Sequence, residues 1–304
     1  MPIEKKVIVR VAEGLGNQLF MYANGLALSK NINAALYVDN ESGFFKKKNK
    51  LRTREYNLDL FKTKIQICNT IDKFNSYPKD FVRKFLKILD FFKSKKLFLC
   101  ENLDNDNLLF KNQSSLSFNN KIYLEGHFES EKYFSFFEKQ LKSSLIVDTN
   151  LINKNDRLIN SLKSSNSVSI HIRRHRFSEE IGKNTISNVN KSDEFTKSII
   201  QYINRSVNFF RKKIDNPKFF IWSNDFSNLE NYFDDSFLFV KNNNLATDFY
   251  LFSLSKHFIV GPSTFHWWGA WLNNNSNKIC LRPKDIFLNP SNNKDFWPKS
   301  WIEI

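Results

Sequence analysis

The sequence predicts an α/β protein of two domains built on parallel sheets, and three observations carry that prediction. The chain opens strand, helix, strand; the alternation restarts after a polar stretch; and 304 residues suit two domains of roughly 100 to 200 residues, each large enough to bury its own core. Val7 to Ala12 (VIVRVA) reads as a short buried strand. Gln18 to Lys30 follows as a helix with Leu19, Tyr22, Ala23, Leu26 and Ala27 on one face, and Ala35 to Val38 as a second strand. Phe81, Phe85, Ile88, Leu89 and Phe92 recur at helical spacing among lysines, which predicts a packed surface helix, with an interfacial membrane helix as the alternative. Lys121 to Glu125 reads as a strand, and Glu131 to Leu145 as a helix that turns Tyr133, Phe134, Phe137 and Leu141 inward.

The polar stretch Asp148 to Asn155 reads as a linker, which sets the domains at 1–150 and 151–304. From there come helix Arg157 to Lys163, strand Val168 to Arg173, helix Asp193 to Lys213, strand Phe219 to Ser223 and a helix opening at Ser227. Strand Phe237 to Val240, helix Thr247 to Lys256, strand His257 to Val260, helix Thr264 to Leu272 and strand Lys278 to Leu281 complete the series. Thr247 and Ser263 or Thr264 sit where helix N-caps belong. Strict alternation implies parallel sheets, whose ligands bind beyond the carboxyl ends of the strands. The residues just after each strand therefore carry the functional reading.

Composition narrows the possibilities. Hydrophobic residues make up 41% and aromatics 15%, which excludes a disordered chain, and eight Gly with no repeating period exclude collagen-like and solenoid folds. No apolar run approaches the ~18 to 20 residues of a membrane span. The opening MPIEKKVIVRV lacks a signal-peptide apolar region, and Cys68, Cys100 and Cys280 stand far apart without a CxxC pair, so a reduced cytoplasmic setting is expected. The net charge of +15 admits nucleic acid, an anionic membrane face or a phosphorylated substrate. Lys46, Lys47, Lys48, Lys50, Arg52 and Arg54 fall in a polar stretch, 41–57, that reads as a solvated loop rather than an anion site.

The strand exits carry the chemistry. Glu13-Gly14-Leu15-Gly16-Asn17 begins like a dinucleotide fingerprint, with Asp39 ending the second strand, but Leu19 stands where the third glycine belongs and would obstruct close helix–strand contact. A glycine turn that brings Asn17 and backbone N–H groups to a ligand is the alternative reading, and a purely structural turn remains a third. Val168 to Phe177 (VSIHIRRHRF) gathers His171, Arg173, Arg174, His175 and Arg176 where a strand opens into a loop. Unpaired guanidinium groups cannot be core, so an anion is expected there, a diphosphate matching arginine's planar fork; a solvated basic edge is the alternative.

Ser223, Asn224 and Asp225 supply donors and acceptors suited to a ribose or a base edge. Gly261-Pro262-Ser263-Thr264 turns a strand into a helix whose N-terminus can receive phosphate oxygens. Trp267 and Trp268 point about 100° apart, so at least one packs in the core. His171 and His266 are separated in sequence and lack a third ligand, so no metal site is expected, and Asp104-Asn105-Asp106 reads as chance.

The blocks GLGNQLFMYANGLALS, GHFESEKYF, HIRR and LFSLSKHFIVGPSTFHWWGAWLN resemble, in this order, glycosyltransferase family 11, the α-1,2-fucosyltransferases. The resemblance implies a GT-B fold of two Rossmann-like domains facing a cleft, with the acceptor on the N-terminal side and the GDP-sugar on the C-terminal side. It further implies GDP-fucose as donor, inversion at the fucose anomeric carbon, transfer to a galactose-type hydroxyl in surface-polysaccharide synthesis, and no cofactor or required metal. Arg173, with Arg174, would bind the pyrophosphate, His171 and Asp248 the guanine, and Gly16 and Asn17 the sugar and phosphates; Ser263, Thr264 and Phe265 would close over the nucleotide. Glu179 or Glu180 is the nearest carboxylate for a general base. The chain departs from the family's pattern at Glu13, at His175-Arg176-Phe177 and at Pro262. A lipid-linked or soluble glycan acceptor and peripheral contact with an anionic membrane are expected as partners, and nucleic acid is not.

Overall fold

The computed structural model describes residues 4–45, 54–101, 117–178, 183–284 and 295–304. The chain forms two compact units, the first reaching Ile146 and the second beginning at Val147. Phe296, near the far end of the chain, belongs to the first unit and sets its ring 6.3 Å from that of Phe20. Both units are α/β, and every strand pairing among the described residues is parallel.

In the first unit, strand β1 (Lys6–Arg10), helix α1 (Leu15–Asn31) and β2 (Ala35–Asp39) are followed by α2 (Tyr77–Phe91), β3 (Lys96–Cys100), β4 (Phe118–Glu125) and α3 (Glu138–Ser144). The sheet order is β2-β1-β4-β3. Val7, Ile8 and Val9 of β1 are wholly buried, and burial of such side chains contributes about 1.5–3 kcal/mol each. That is why the strand reads as a continuous apolar run rather than an alternating one. Close contact between α1 and β1 is made at Gly25, where a Cβ would lie 2.1 Å from Cγ2 of Val9. Leu19, in the place of the third fingerprint glycine, is buried core instead.

One expectation fails here for a physical reason, and one strand goes unread in the sequence. Residues 131–145 do not form one helix: two 3-10 turns, Glu131–Tyr133 and Ser135–Phe137, precede α3, and Phe134 between them has φ −145°. Tyr133, Phe134 and Leu141 are buried as expected, while Phe137 is only half-buried. Strand β3 was hidden at the end of the phenylalanine-rich segment. It is held to α2 by Asp90, which accepts the backbone N–H groups of Leu97 at 2.7 Å and Phe98 at 3.0 Å.

The second unit runs α4 (Asp156–Ser164), β5 (Asn166–Ile172), α5 (Ile186–Lys213), β6 (Pro217–Ser223) and β7 (Phe237–Phe239). It continues with α6 (Leu245–Ser253), β8 (His257–Ile259), α7 (Thr264–Leu272), β9 (Cys280–Arg282) and β10 (Ile302–Glu303). Its sheet order is β10-β9-β8-β5-β6-β7, with β5 between β6 and β8. Val168, Ile170 and Ile172 of β5 pack with Phe195, Ile199 and Ile203 of α5 in one core. Helix α5 starts a full two turns before Asp193, because Thr185 caps it by accepting the N–H of Asn188. The helix expected at Ser227 is a single 3-10 turn, Leu229–Asn231. Asn244, not Thr247, caps α6 and accepts the Thr247 N–H at 2.8 Å; the Thr247 hydroxyl, wholly buried, accepts the N–H of Asn153.

Gly25→Ala is expected to lower stability by roughly 1–3 kcal/mol, the ordinary range for overpacking. A denaturant midpoint equal to that of the unaltered protein would show that α1 can move off β1 without loss.

Candidate active site

The carboxyl end of β5 supplies the densest functional chemistry of the second unit. His171 lies at that strand end but is buried, its ring stacked on His266 of α7 with centroids 3.6 Å apart and planes 20° from parallel. The two histidines, distant in sequence, are thus in contact. Gly261 packs closely on His171, where a Cβ would stand 3.1 Å from its carbonyl oxygen and 3.2 Å from its Nδ1. Burial, and then the nearby Arg173 guanidinium, hold His171 well below the ordinary histidine range. Burial, His171 and Arg173 do the same to His266. Both imidazoles are therefore neutral at pH 7, so the stacked pair adds no positive charge to that of the arginines. The expectation that the whole basic cluster lies outside the core is corrected for His171; Arg173, Arg174 and Arg176 are half-buried.

The arginine turn is braced by the neighbouring strand end. The backbone N–H of Arg174 donates to Oδ1 of Asn224 at 2.8 Å, and Nδ2 of Asn224 donates back to the Arg174 carbonyl at 3.1 Å. The Arg174 guanidinium reaches Oδ2 of Asp225 at 3.3 Å and the carbonyl of Ser227. His175, in the left-handed region at φ 55°, brings Nε2 to 2.6 Å from the same Asp225 oxygen. Oδ1 of Asp225 accepts the N–H and hydroxyl of Ser227 at 2.9 and 2.7 Å. Burial pushes the Asp225 carboxyl up, but His175, Ser227 and Arg174 together outweigh it and hold the group far below the usual carboxylate range. Ser223 donates its hydroxyl to the Asp225 carbonyl at 2.6 Å. Ser223 and Asp225, expected to supply donors and acceptors to a ribose or base edge, thus also hold the turn.

Two departures from the family pattern meet in space. The Arg176 guanidinium donates to the Pro262 carbonyl at 3.3 Å and lies 5.4 Å over the Phe195 ring. Arg176 so links the loop after β5 to the loop after β8. Beyond Pro262, Ser263 is the N-cap of α7 without a side-chain capping bond, its Oγ being 3.4 Å from Nδ1 of His266. Ser263, Thr264 and Phe265 are half-buried, and Phe265 meets Phe249 edge-on at 5.2 Å. Trp267 and Trp268 are both core. In the first turn of α6, burial pushes the Asp248 carboxyl up to about 6, against a lowering hydrogen bond of 2.9 Å from Asn243.

In the first unit, the glycine turn after β1 has its own brace. Gly14 caps α1, Gly16 is buried and Asn17 is half-buried. Gln18, which the sequence did not single out, is wholly buried: its Nε2 donates to the carbonyls of Glu13 and Glu55 at 2.9 and 2.8 Å, and its Oε1 accepts the N–H of Asn57 at 2.9 Å. No local signal could reveal it, because two of its three partners lie nearly forty residues downstream. Glu13 adopts φ 65°, the left-handed region that accounts for glycine being usual at that position. Arg54 lies against Gly14, its Nη1 3.0 Å from where a Cβ would stand, so it is not part of a wholly solvated loop. Glu179, Glu180, Asp104 to Asp106, Lys46 to Lys50 and Arg52 lie outside the described residues. Among the described residues no group of three or more His, Cys, Asp or Glu is placed to hold a metal ion.

Two Rossmann-like units of parallel sheet define a GT-B-type α/β transferase fold, and solved fucosyltransferases share it. The NodZ fucosyltransferase of Bradyrhizobium superposes with a TM-score of 0.53 at 12% identity, covering 88% of this chain and 93% of that one. An Arabidopsis thaliana FUT1 mutant in complex with GDP gives 0.53 at 15%, covering 95% and 73%. The chain belongs to glycosyl transferase family 11, whose model matches residues 6–304. An alpha-1,2-colitosyltransferase of Escherichia coli is 29% identical over 98% of both chains, and the O-antigen biosynthesis glycosyltransferase WbnK of the same organism is 25% identical over 96% of this chain and 98% of its own.

Gln18→Leu is expected to cost about 3 kcal/mol, roughly 1 kcal/mol for each hydrogen bond removed, with loss of protection of the Asn57 amide in hydrogen exchange. Unchanged stability and exchange would mean that the glycine turn holds its shape without Gln18.

Proposed function

We propose that this glycosyltransferase moves L-fucose from GDP-fucose, with inversion, onto a galactose-type hydroxyl to form an α-1,2 linkage in a surface polysaccharide. The observation that carries the reading is the arginine turn after β5, braced through Asp225 in a chain that matches the family from residue 6 to residue 304. The bracing leaves Arg173 beside two neutral imidazoles, so a diphosphate placed there meets a guanidinium fork. In a single displacement the acceptor oxygen attacks opposite the leaving GDP, and the Arg173 guanidinium, with the N-terminal amides of α7 beyond Ser263, stabilises the charge that develops on the diphosphate. Thr264 and Phe265 close over the nucleotide, and Gly16 and Asn17 are assigned the transferred sugar. Glu180 is the proposed base for the acceptor hydroxyl, with Glu179 beside it. No cofactor or metal enters the scheme.

A second donor is favoured by one observation, the colitosyltransferase relative. Colitose is fucose without its 3-hydroxyl, so the two readings share every step and differ only in whether a polar group of the site pairs with that hydroxyl. Transfer assays with GDP-fucose, GDP-colitose, GDP-mannose and a UDP-sugar separate them. Turnover with GDP-fucose well above GDP-colitose supports the first reading; the reverse order supports the second; thermal stabilisation by no guanosine nucleotide contradicts both. Arg173→Ala is expected to lower kcat/KM by about a hundredfold or more, the loss of one preorganised charge partner, and an effect within a few-fold would remove Arg173 from the diphosphate.

Asp248 gives the reading a pH signature. A guanine edge donates N–H groups, so it binds the ionised carboxylate, and a group raised to about 6 is progressively protonated as pH falls from 7 to 5. GDP-fucose affinity is expected to fall through that window, approaching tenfold per pH unit below the shifted value. The diester diphosphate of the donor does not titrate there. Asp248→Asn is expected to flatten the profile; a profile as steep as that of the unaltered protein would place the guanine elsewhere.

A further inference from the structure

Helix α2 is built inside out. At 100° per residue, Asp80, Arg83, Lys87 and Asp90 share one side, and this charged side is the one packed on the protein. Asp80 and Asp90 are buried, at 3% and 4% exposure. Arg83 donates to Oδ1 of Asp80 at 2.9 Å and to Oε2 of Glu125 at 2.5 Å, Lys87 reaches the same Glu125 oxygen at 3.1 Å, and Asp90 holds the start of β3. The apolar side faces away from the core: Phe81, Ile88 and Phe92 are 73%, 63% and 80% exposed. The helical periodicity was legible in the sequence, but the expectation of a packed apolar face is overturned. Buried ion pairs seldom repay their desolvation, and exposed phenylalanines forfeit theirs, so a helix oriented this way gives up stability on both sides. A contiguous exposed apolar strip of this kind marks a contact surface.

The charge around the strip identifies the contact. Both acids of residues 77–96, Asp80 and Asp90, are buried, whereas Lys84, Lys93 and Lys95 are exposed. Every outward charge on this stretch is therefore positive, in a chain of net charge +15. No helix among the described residues is long and apolar enough to cross a membrane. We propose that α2 lies in the interface of an anionic lipid bilayer, its phenylalanines entering the headgroup–acyl boundary to a depth of about 5–10 Å and its lysines meeting lipid phosphate. The proposal rests on α2 alone and stands or falls separately from the donor and acceptor assigned above.

The full chain is to be sedimented with vesicles of phosphatidylcholine alone and of phosphatidylcholine with phosphatidylglycerol, at low and high salt. Binding is expected to the mixed vesicles, weakened by salt, and reduced more than about tenfold in the combined variant Phe81→Ser, Phe85→Ser, Phe92→Ser. Lys84→Glu, Lys93→Glu, Lys95→Glu together are expected to abolish the preference for phosphatidylglycerol. These side chains are exposed, so melting curves serve as the folding control and are expected to stay within a few degrees. Failure to bind the mixed vesicles, or equal binding by the serine variant, overturns the proposal. So does sedimentation-velocity evidence of a dimer that the serine variant converts to monomer without any vesicle binding, since the strip would then be covered by a second copy.

Discussion

The site depends on one carboxylate. Three guanidinium groups and a histidine follow a strand buried from Ser167 to Ile172, and self-repulsion together with desolvation would open such a turn. Asp225 prevents it by spending both of its oxygens inside the protein, one on Arg174 and His175, the other on Ser227. Asn224 adds a reciprocal pair of hydrogen bonds to the Arg174 backbone. With Arg174 and His175 committed and the stacked His171–His266 pair neutral, the arginine turn is a preorganised structure rather than a loose basic patch. Preorganisation is what makes a fixed charge worth more to a transition state than the same charge in water.

Much of the fold was legible because parallel strands are buried on both faces. VIVRV and FFIW read as apolar runs and VSIHIR as a strand by its alternation, and they became β1, β6 and β5. What escaped was where local signals compete. KLFLC of β3 follows directly on a helix whose phenylalanines set the apparent period, and β10 is too short at two residues to carry a pattern. Residues 131–145 hold the right apolar residues for an inward face, but the backbone at Phe134 breaks the helix into turns. Helix α2 gives the sharpest lesson. Periodicity says which residues share a face; it does not say which face the protein keeps, and here the ion pairs to Glu125 decided it.

The site was legible in its residue types and less so in their roles. The basic strand exit was identified from sequence, and the family pattern pointed to Arg173 and Asp248. Ser223 and Asp225 stood out as a strand end rich in donors and acceptors, but the bonds by which they hold the turn have no signature in sequence. Gln18 was invisible for the opposite reason, its partners at Glu55 and Asn57 being remote in sequence. Arg176 and Pro262, separately conspicuous as departures from the family, proved to be one contact, which ties the loop after β5 to the helix terminus at Ser263.

The central claim is that the loops after β5, β6 and β8 and the start of α6 hold the nucleotide. Hydrogen–deuterium exchange of the intact chain with and without GDP tests it most directly. The account predicts slowed exchange at residues 173–178 and 244–249 and at the start of α7 around 263–266. Slowing confined to the first unit, or absent from the loop that carries Arg173, would contradict it.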